Sequence, residues 1–156
     1  MASLSGRIVN FASRRLPSVG RRGTRRQVAQ FRKSNGQKGN ILMGKPVFLL
    51  DVVGRTSGEP RPVMLMLARR DDDLIVIGSN GGNAEAPNWW KNLMAAGEAH
   101  VEVGSDCWAV TATELDDGEE RDLCWKVATE AYPDFDSYQE LTDRRIPVGV
   151  LSRTGG

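Results

Sequence analysis

Two apolar runs, PVFLLDVV at 46–53 and PVMLMLA at 62–68, are separated by only the eight residues GRTSGEPR. A parallel pair needs a crossover of a dozen or more residues, so these segments can pair only antiparallel. The same holds for LIVIGS (74–79), which a short RDDD turn ties to the second run. Three further strand-length segments follow, AHVEVG (99–104), CWAVTATEL (107–115) and IPVGVL (146–151), bounded by turn residues. Six such candidates with few helices do not fit a doubly wound parallel sheet. The expected fold class is mainly β (α+β): a six-stranded antiparallel barrel with peripheral helices. VMLMLA is apolar at successive positions, so both of its faces need cover, one from the barrel interior and the other from a ligand or partner subunit.

Three helices are expected among these strands. Asn88 can cap one through WWKNLMAA. Asp116 or Asp117 can cap DGEERDLCWKVATEA, with Leu123, Cys124, Val127, Ala128 and Ala131 on one apolar face. The third, DFDSYQEL, follows Pro133.

The chain of 156 residues has a formal charge of only +1, which conceals a division. Residues 1–38 hold ten of the 21 basic residues and no acidic one, leaving 11 basic against 20 acidic residues in the other 118, a formal charge of −9. The expected organisation is a basic arm over 1–44 and one acidic domain over 45–156. Within the arm, Leu4, Ile8, Phe11, Ala12 and Leu16 recur at helical spacing and Pro17 ends the pattern, while residues 34–44 read as a Gly-rich linker. Three readings of the arm stay open: a helix lying on an anionic membrane or packing over the domain, a disordered arm, and an organelle transit peptide.

Composition removes several chemistries. His100 is the only histidine, and alternation puts it opposite Ala99, Val101 and Val103, on an exposed face. With Cys107 and Cys124 lacking CxxC spacing, no metal site is expected, and buried free thiols fit a reducing cytoplasm. Neither GxGxxG after a strand nor GxxxxGK[ST] occurs, and no apolar run reaches the length of a bilayer span.

GRTSGEPR exceeds what a turn requires. Arg55 and Arg61 can make charge-assisted contacts to a phosphate or carboxylate, Thr56 and Ser57 add hydroxyl donors, and Gly54 and Gly58 let the backbone come close. A second loop, NGGNAEAPN (80–88), leads into a helix N-terminus, itself an anion site, and then into Trp89 and Trp90. An anionic tail joined to an aromatic head describes a flavin-like cofactor. The competing reading gives the arginines to surface salt bridges and the tryptophans to the core.

GRTSGEPR, PVMLMLA, GSNGGNAEAPNWWKNLMAAGEAHVEV and EAYPDFDSYQELTDRRIPVGVL together resemble the deazaflavin-dependent nitroreductase family, over roughly residues 45–151. The resemblance implies a split β-barrel using reduced coenzyme F420 (F420H2) to pass hydride to a quinone, enone or nitro acceptor. By it, Arg55, Thr56, Ser57 and Arg61 hold the cofactor's phosphate and glutamate tail. Pro62, Val63, Met64, Leu65 and Met66, with Ile77, Gly78, Ser79 and Asn80, line its ring and linker; Asn88, Trp89, Trp90, Lys91 and Asn92 close over them. Tyr132, Phe135 and Tyr138 fall on the substrate side, Phe135 also among the cofactor contacts, and Tyr132, Tyr138 and Ser79 are the catalytic candidates. Two positions depart from the family pattern: Asn80 stands where relatives commonly carry Lys, and Phe135 where better-known relatives carry a third tyrosine. The implied partners are a small-molecule acceptor, an anionic membrane surface met by the basic arm, no nucleic acid, and at most a second copy of the chain. The implied location is the cytoplasm, peripheral on the inner face of the membrane. Other readings of the same cleft are a non-catalytic deazaflavin or lipid carrier and a binder of FMN or haem.

Overall fold

The computed structural model describes residues 17–155, with side chains from residue 24 onward, so the expected helix over 4–16 lies outside the described residues. In chain order the elements are α1 (Pro17–Lys33), β1 (Ile41–Leu42), β2 (Lys45–Val53), β3 (Pro60–Met66), β4 (Arg69–Arg70), β5 (Asp73–Ile77), a 3-10 turn (Asn80–Gly82), α2 (Asn88–Ala96), β6 (Glu98–Val103), β7 (Asp106–Glu114), α3 (Glu119–Ala131), α4 (Asp134–Glu140) and β8 (Val148–Arg153). The six expected strands are all present. Two more, β1 and β4, bring the sheet to eight; at two residues each they are too short to register as apolar runs.

All pairings are antiparallel, in the order β1-β2-β6-β7-β8-β5-β4 with β3 against β2. β3 hands the chain towards β5 at Ala68, whose carbonyl accepts the Ile75 N–H at 2.9 Å, so the sheet curls into a split barrel. The interior is filled by Phe48, Leu50, Val52, Leu74, Val76, Val101, Val110 and Leu151, with Trp90 and Leu93 of α2 packed on them. The intervening residues of the same strands face outward and are covered by the chain's own helices. Val47, Leu49 and Met64 lie with Val28 and Phe31 of α1. Ala68, Ile75, Ile77 and Val148 lie with Cys124, Ala128, Tyr132, Phe135 and Tyr138. The uninterrupted apolar strands are thus explained by cover on both faces.

Pro17, expected to stop a helix, is the first residue of one, a position its fixed φ suits. α1 buries Val28 and Phe31, three residues apart on one stripe. Beyond it the chain turns through Gly36, where a Cβ would stand 2.0 Å from the Gly104 carbonyl oxygen, so only glycine fits against the β6–β7 turn. Arg32 pins α1 to the sheet through Asp51 (2.8 Å) and Glu102 (3.3 Å).

Four local expectations are corrected. Asn88 is the first residue of α2 and Pro87 occupies the cap position. Gly118, not Asp116 or Asp117, precedes α3, and Asp117 instead pairs with Arg145 at 2.7 Å. Leu123 is half exposed, outside the apolar face assigned to it. Of the two free thiols only Cys124 is buried, since Cys107 lies on an exposed position of β7. His100 is exposed between buried Ala99 and Val101.

Candidate active site

The β2–β3 hairpin closes with the Gly54 N–H on the Glu59 carbonyl (2.8 Å) and the Gly58 N–H on the Gly54 carbonyl (2.9 Å). A Cβ on Gly54 would stand 2.7 Å from Ser57 Oγ, so glycine lets the hydroxyl fold back over the turn. Ser57 Oγ accepts from Arg61 Nη2 (3.2 Å) and from the Glu59 N–H (3.2 Å). The other arginine turns to α2: Arg55 donates from Nη1 (2.7 Å) and from its backbone N–H (3.1 Å) to Oδ1 of buried Asn92, and Nη2 stands 3.5 Å from Asn88 Oδ1. Neighbouring Lys91 pairs with exposed Glu85 at 3.2 Å. Arg61 also stands 3.7 Å from Glu59, so the hairpin and the start of α2, joined through Arg55, carry three basic side chains, two of them beside exposed carboxylates. Thr56, Ser57 and Gly58 are exposed on the hairpin.

The loop leaving β5 is held by a residue that the sequence did not single out. Arg144, beyond α4, donates from Nε to the Asn83 carbonyl (2.8 Å) and from Nη2 towards the carbonyls of Ser79 (2.8 Å), Gly78 (3.1 Å) and Glu85 (3.3 Å). Burial lowers the pKa of this guanidinium, and the ring of carbonyls compensates the buried charge. Asn80, Gly81 and Gly82 all take positive φ, and a Cβ on Gly82 would meet the Tyr138 carbonyl oxygen at 2.7 Å. Asn80 caps the loop internally by donating to the Glu85 carbonyl at 3.0 Å.

Tyr132, Phe135 and Tyr138 are buried together, with Tyr132 and Phe135 edge to face at 5.0 Å. The two hydroxyls meet at 2.8 Å, and that of Tyr132 also reaches Met43 Sδ at 3.7 Å. Burial, and then the hydrogen bond to Tyr138, pushes Tyr132 far above the usual phenol range. Tyr138 is raised as well, chiefly by burial. Both are protonated at neutral pH.

The remaining candidates divide. Trp90 packs into the barrel: a Cβ on Gly78 would stand 3.0 Å from its ring, as would one on Gly149, so two glycines on adjacent strands make room for the indole. Trp89, half buried, meets it edge-on at 5.8 Å. Along β3, Val63 and Leu65 pack with the interior while Met64 and Met66 lie among the outer clusters, and Pro62 is half exposed near the hairpin. Ile77, Gly78 and Ser79 are buried where β5 ends. A surface cleft of about 590 Å³ between α3 and α4, lined by Arg121, Trp125, Asp136 and Arg145, lies apart from all of these. No cluster of metal-ligating side chains occurs among the described residues.

A split barrel carrying arginines on a hairpin beside a helix N-terminus, and a protonated tyrosine pair in its outer cluster, is compatible with a flavin- or deazaflavin-type oxidoreductase. The chain belongs to the F420H(2)-dependent quinone reductase family, whose model matches residues 23–153. It is 32% identical over 128 residues to the F420H(2)-dependent quinone reductase Rv1261c of Mycobacterium tuberculosis, covering 80% of this chain and 86% of that protein. Among solved structures it resembles the F420-H2 dependent reductase FDR-A, with 38% identity, a TM-score of 0.64, and 69% of this chain and 94% of that one covered. A chain solved as a domain-swapped dimer is similar at 34% identity and a TM-score of 0.67, with 82% of this chain and 96% of that one covered. The protein is thus an oxidoreductase, and coenzyme F420 is its cofactor.

Proposed function

We propose that the protein reduces a quinone with F420H2, the anionic tail of the cofactor lying on the hairpin and α2, and its ring along β3 towards the tyrosine pair. The observation that carries this reading is the docking of Arg55 on Asn92 and Asn88 of α2, the helix that carries Lys91, with Arg61 on the same hairpin, at one end of a strand whose other end reaches the tyrosine cluster. Arg61 to Met66 spans about 17 Å at strand rise, a length suited to a ligand that is anionic at one end and aromatic at the other. The donor set fits: two guanidiniums, an ammonium and exposed hydroxyls for the phosphate and carboxylates, and the partly buried apolar side chains of Val63 and Leu65 for the ring.

When bound, the reduced deazaflavin supplies hydride, two electrons with one proton. A quinone accepting hydride becomes a hydroquinone anion and needs one further proton. In this reading Tyr138 Oη, hydrogen-bonded to Tyr132 Oη, holds that proton beside the acceptor, and Ser79 helps to orient the ring. The chain's remaining task is orientation and exclusion of water, so no stronger acid or base is required. Enones and nitroarenes are further acceptors of the same hydride.

Two wider features belong to the same proposal. Exposed Arg25 and Arg26 on α1 provide a surface for anionic lipid, and no described helix is long and apolar enough to cross a membrane. Arg25→Gln with Arg26→Gln should then weaken binding to anionic vesicles; unchanged binding removes the membrane role. Self-association as a homodimer draws on the relative solved as a domain-swapped dimer, and light scattering tests it.

Anaerobic titration with F420H2, FMN and haem, followed by mixing with menadione, tests the function. Binding and oxidation of F420H2 support it. Binding of FMN or haem alone overturns it, and F420H2 bound but never oxidised by quinones, enones or nitroarenes would make the protein a carrier.

A further inference from the structure

The turn between β1 and β2 breaks a local rule. Leu42 pairs with Lys45, so Met43 and Gly44 alone form the loop, with φ of 52° and 76°. A two-residue turn with both φ positive favours Asn, Asp or Gly, whose small or locally bonding side chains tolerate the left-handed region. Methionine brings no such compensation. Nor is it drawn there by burial in a core: Ile41, Leu42 and Met43 are 54%, 39% and 44% exposed, three consecutive large apolar side chains open to solvent. Backbone strain and exposed apolar surface at one tip are a combination that folding alone does not reward.

The tip is nevertheless coupled to the buried tyrosines, because Met43 Sδ accepts from the Tyr132 hydroxyl that is also bonded to Tyr138. Met66 of β3 packs against both outer clusters, the one under α1 that contains Met64 and the one that contains Tyr132. Met64 thus lies in the cover beneath α1, and Met66 borders both that cover and the tyrosine cluster that Met43 touches. Methionines are unbranched and polarisable, and a surface built of them accepts flexible apolar ligands of varied shape.

We propose that Ile41, Leu42 and Met43 form the acceptor-specificity element of the enzyme, a lip that receives the apolar side chain of a long-chained quinone while Met43 positions the head group near the Tyr132 hydroxyl. This rests on the quinone-reductase reading above. The lip supplies apolar contact outside the reacting atoms, so it governs acceptor binding and the choice among acceptors.

The test compares a decyl-substituted benzoquinone with its methyl analogue, on the parent, on Met43→Asn and on Leu42→Ser. Asparagine suits the turn, so Met43→Asn should raise the thermal midpoint or leave it unchanged while the preference in kcat/KM for the decyl over the methyl quinone falls by about tenfold, mainly through KM. Leu42→Ser should lower that preference in the same direction. Quenching of tryptophan fluorescence by each quinone in cofactor-free protein gives a second readout, in which the parent should bind the decyl compound more tightly than the variants do. An unaltered chain-length preference in both variants overturns the lip, as does a Met43→Asn protein whose thermal midpoint drops while its preference is kept. A parent that binds the decyl quinone preferentially but never turns over leaves the lip standing and removes the reductase reading instead.

Discussion

Arg144 is the residue whose loss should be felt most widely. Its guanidinium reaches the carbonyls of Asn83 and Ser79 at 2.8 Å, with Gly78 and Glu85 at longer range. A hydrogen bond to a charged group contributes about 1.5–3 kcal/mol net, so the two shorter bonds set a gross scale of about 3–6 kcal/mol. Water can replace part of that at the exposed Glu85 side, which lowers the expected cost of Arg144→Met to about 2–4 kcal/mol. The loop it holds contains three successive residues at positive φ, so it has little of its own to keep that shape once the tether is gone. Because the loop leads into Asn88 and the first turn of α2, deazaflavin affinity should fall too, by about tenfold or 1.4 kcal/mol. Urea unfolding and fluorescence titration read the two quantities on one preparation. Arg144→Lys retains the charge without the planar fork and should fall between parent and Arg144→Met. Less than about 0.5 kcal/mol of destabilisation in both variants, the level of an ordinary surface change, would refute the tether.

Other consequences follow from the same packing. Tyr132 and Tyr138 are the only tyrosines in the chain, so near-ultraviolet tyrosinate absorbance reports on the buried pair directly. Their folded-state pKa values lie above the ordinary 10.0, chiefly through burial, so their contribution to stability is whole below pH 10 and is lost as pH rises towards the folded values. The folded protein should therefore resist ionisation around pH 10, and half-ionisation there without unfolding would show that the pair is open to water. Phe31→Ala removes a ring that is 1% exposed beneath α1 and should cost about 3–5 kcal/mol. Proteolysis should then cut between α1 and β2; a loss under about 1 kcal/mol would mean that α1 is only loosely placed.

The sequence carried the sheet because the two-faced apolar runs LLDVV, VMLMLA and LIVI leave a strand little choice, and the hairpin lengths dictate their direction. It carried the cationic hairpin because Arg55 and Arg61 are unusual in so short a turn. It did not carry Arg144, which acts on carbonyls some 60 residues away in the chain, nor Met43, whose place over Tyr132 depends on a pairing 89 residues apart. It did not carry α1, because its residues 17–23 (PSVGRRG) hold glycines and no apolar periodicity, and Pro17 reads as a stop as readily as a start. The β1 and β4 bridges have no periodicity to detect at two residues each.

In the proposed binding mode the 54–61 hairpin and the start of α2 hold the anionic tail of the cofactor. Affinities of parent, Arg55→Ala and Arg61→Ala for F420 and for 8-hydroxy-5-deazariboflavin, the same ring without phosphate and glutamates, test it in one double-mutant cycle. The parent should prefer the tailed cofactor by at least about tenfold, and each alanine should cost roughly 1.5–3 kcal/mol with F420 and little with the tailless compound. Arg55→Ala should also cost some stability, because buried Asn92 Oδ1 loses its guanidinium partner and keeps only the backbone N–H. Equal affinity for the two compounds, or arginine variants that lose both to the same degree, would contradict the assignment.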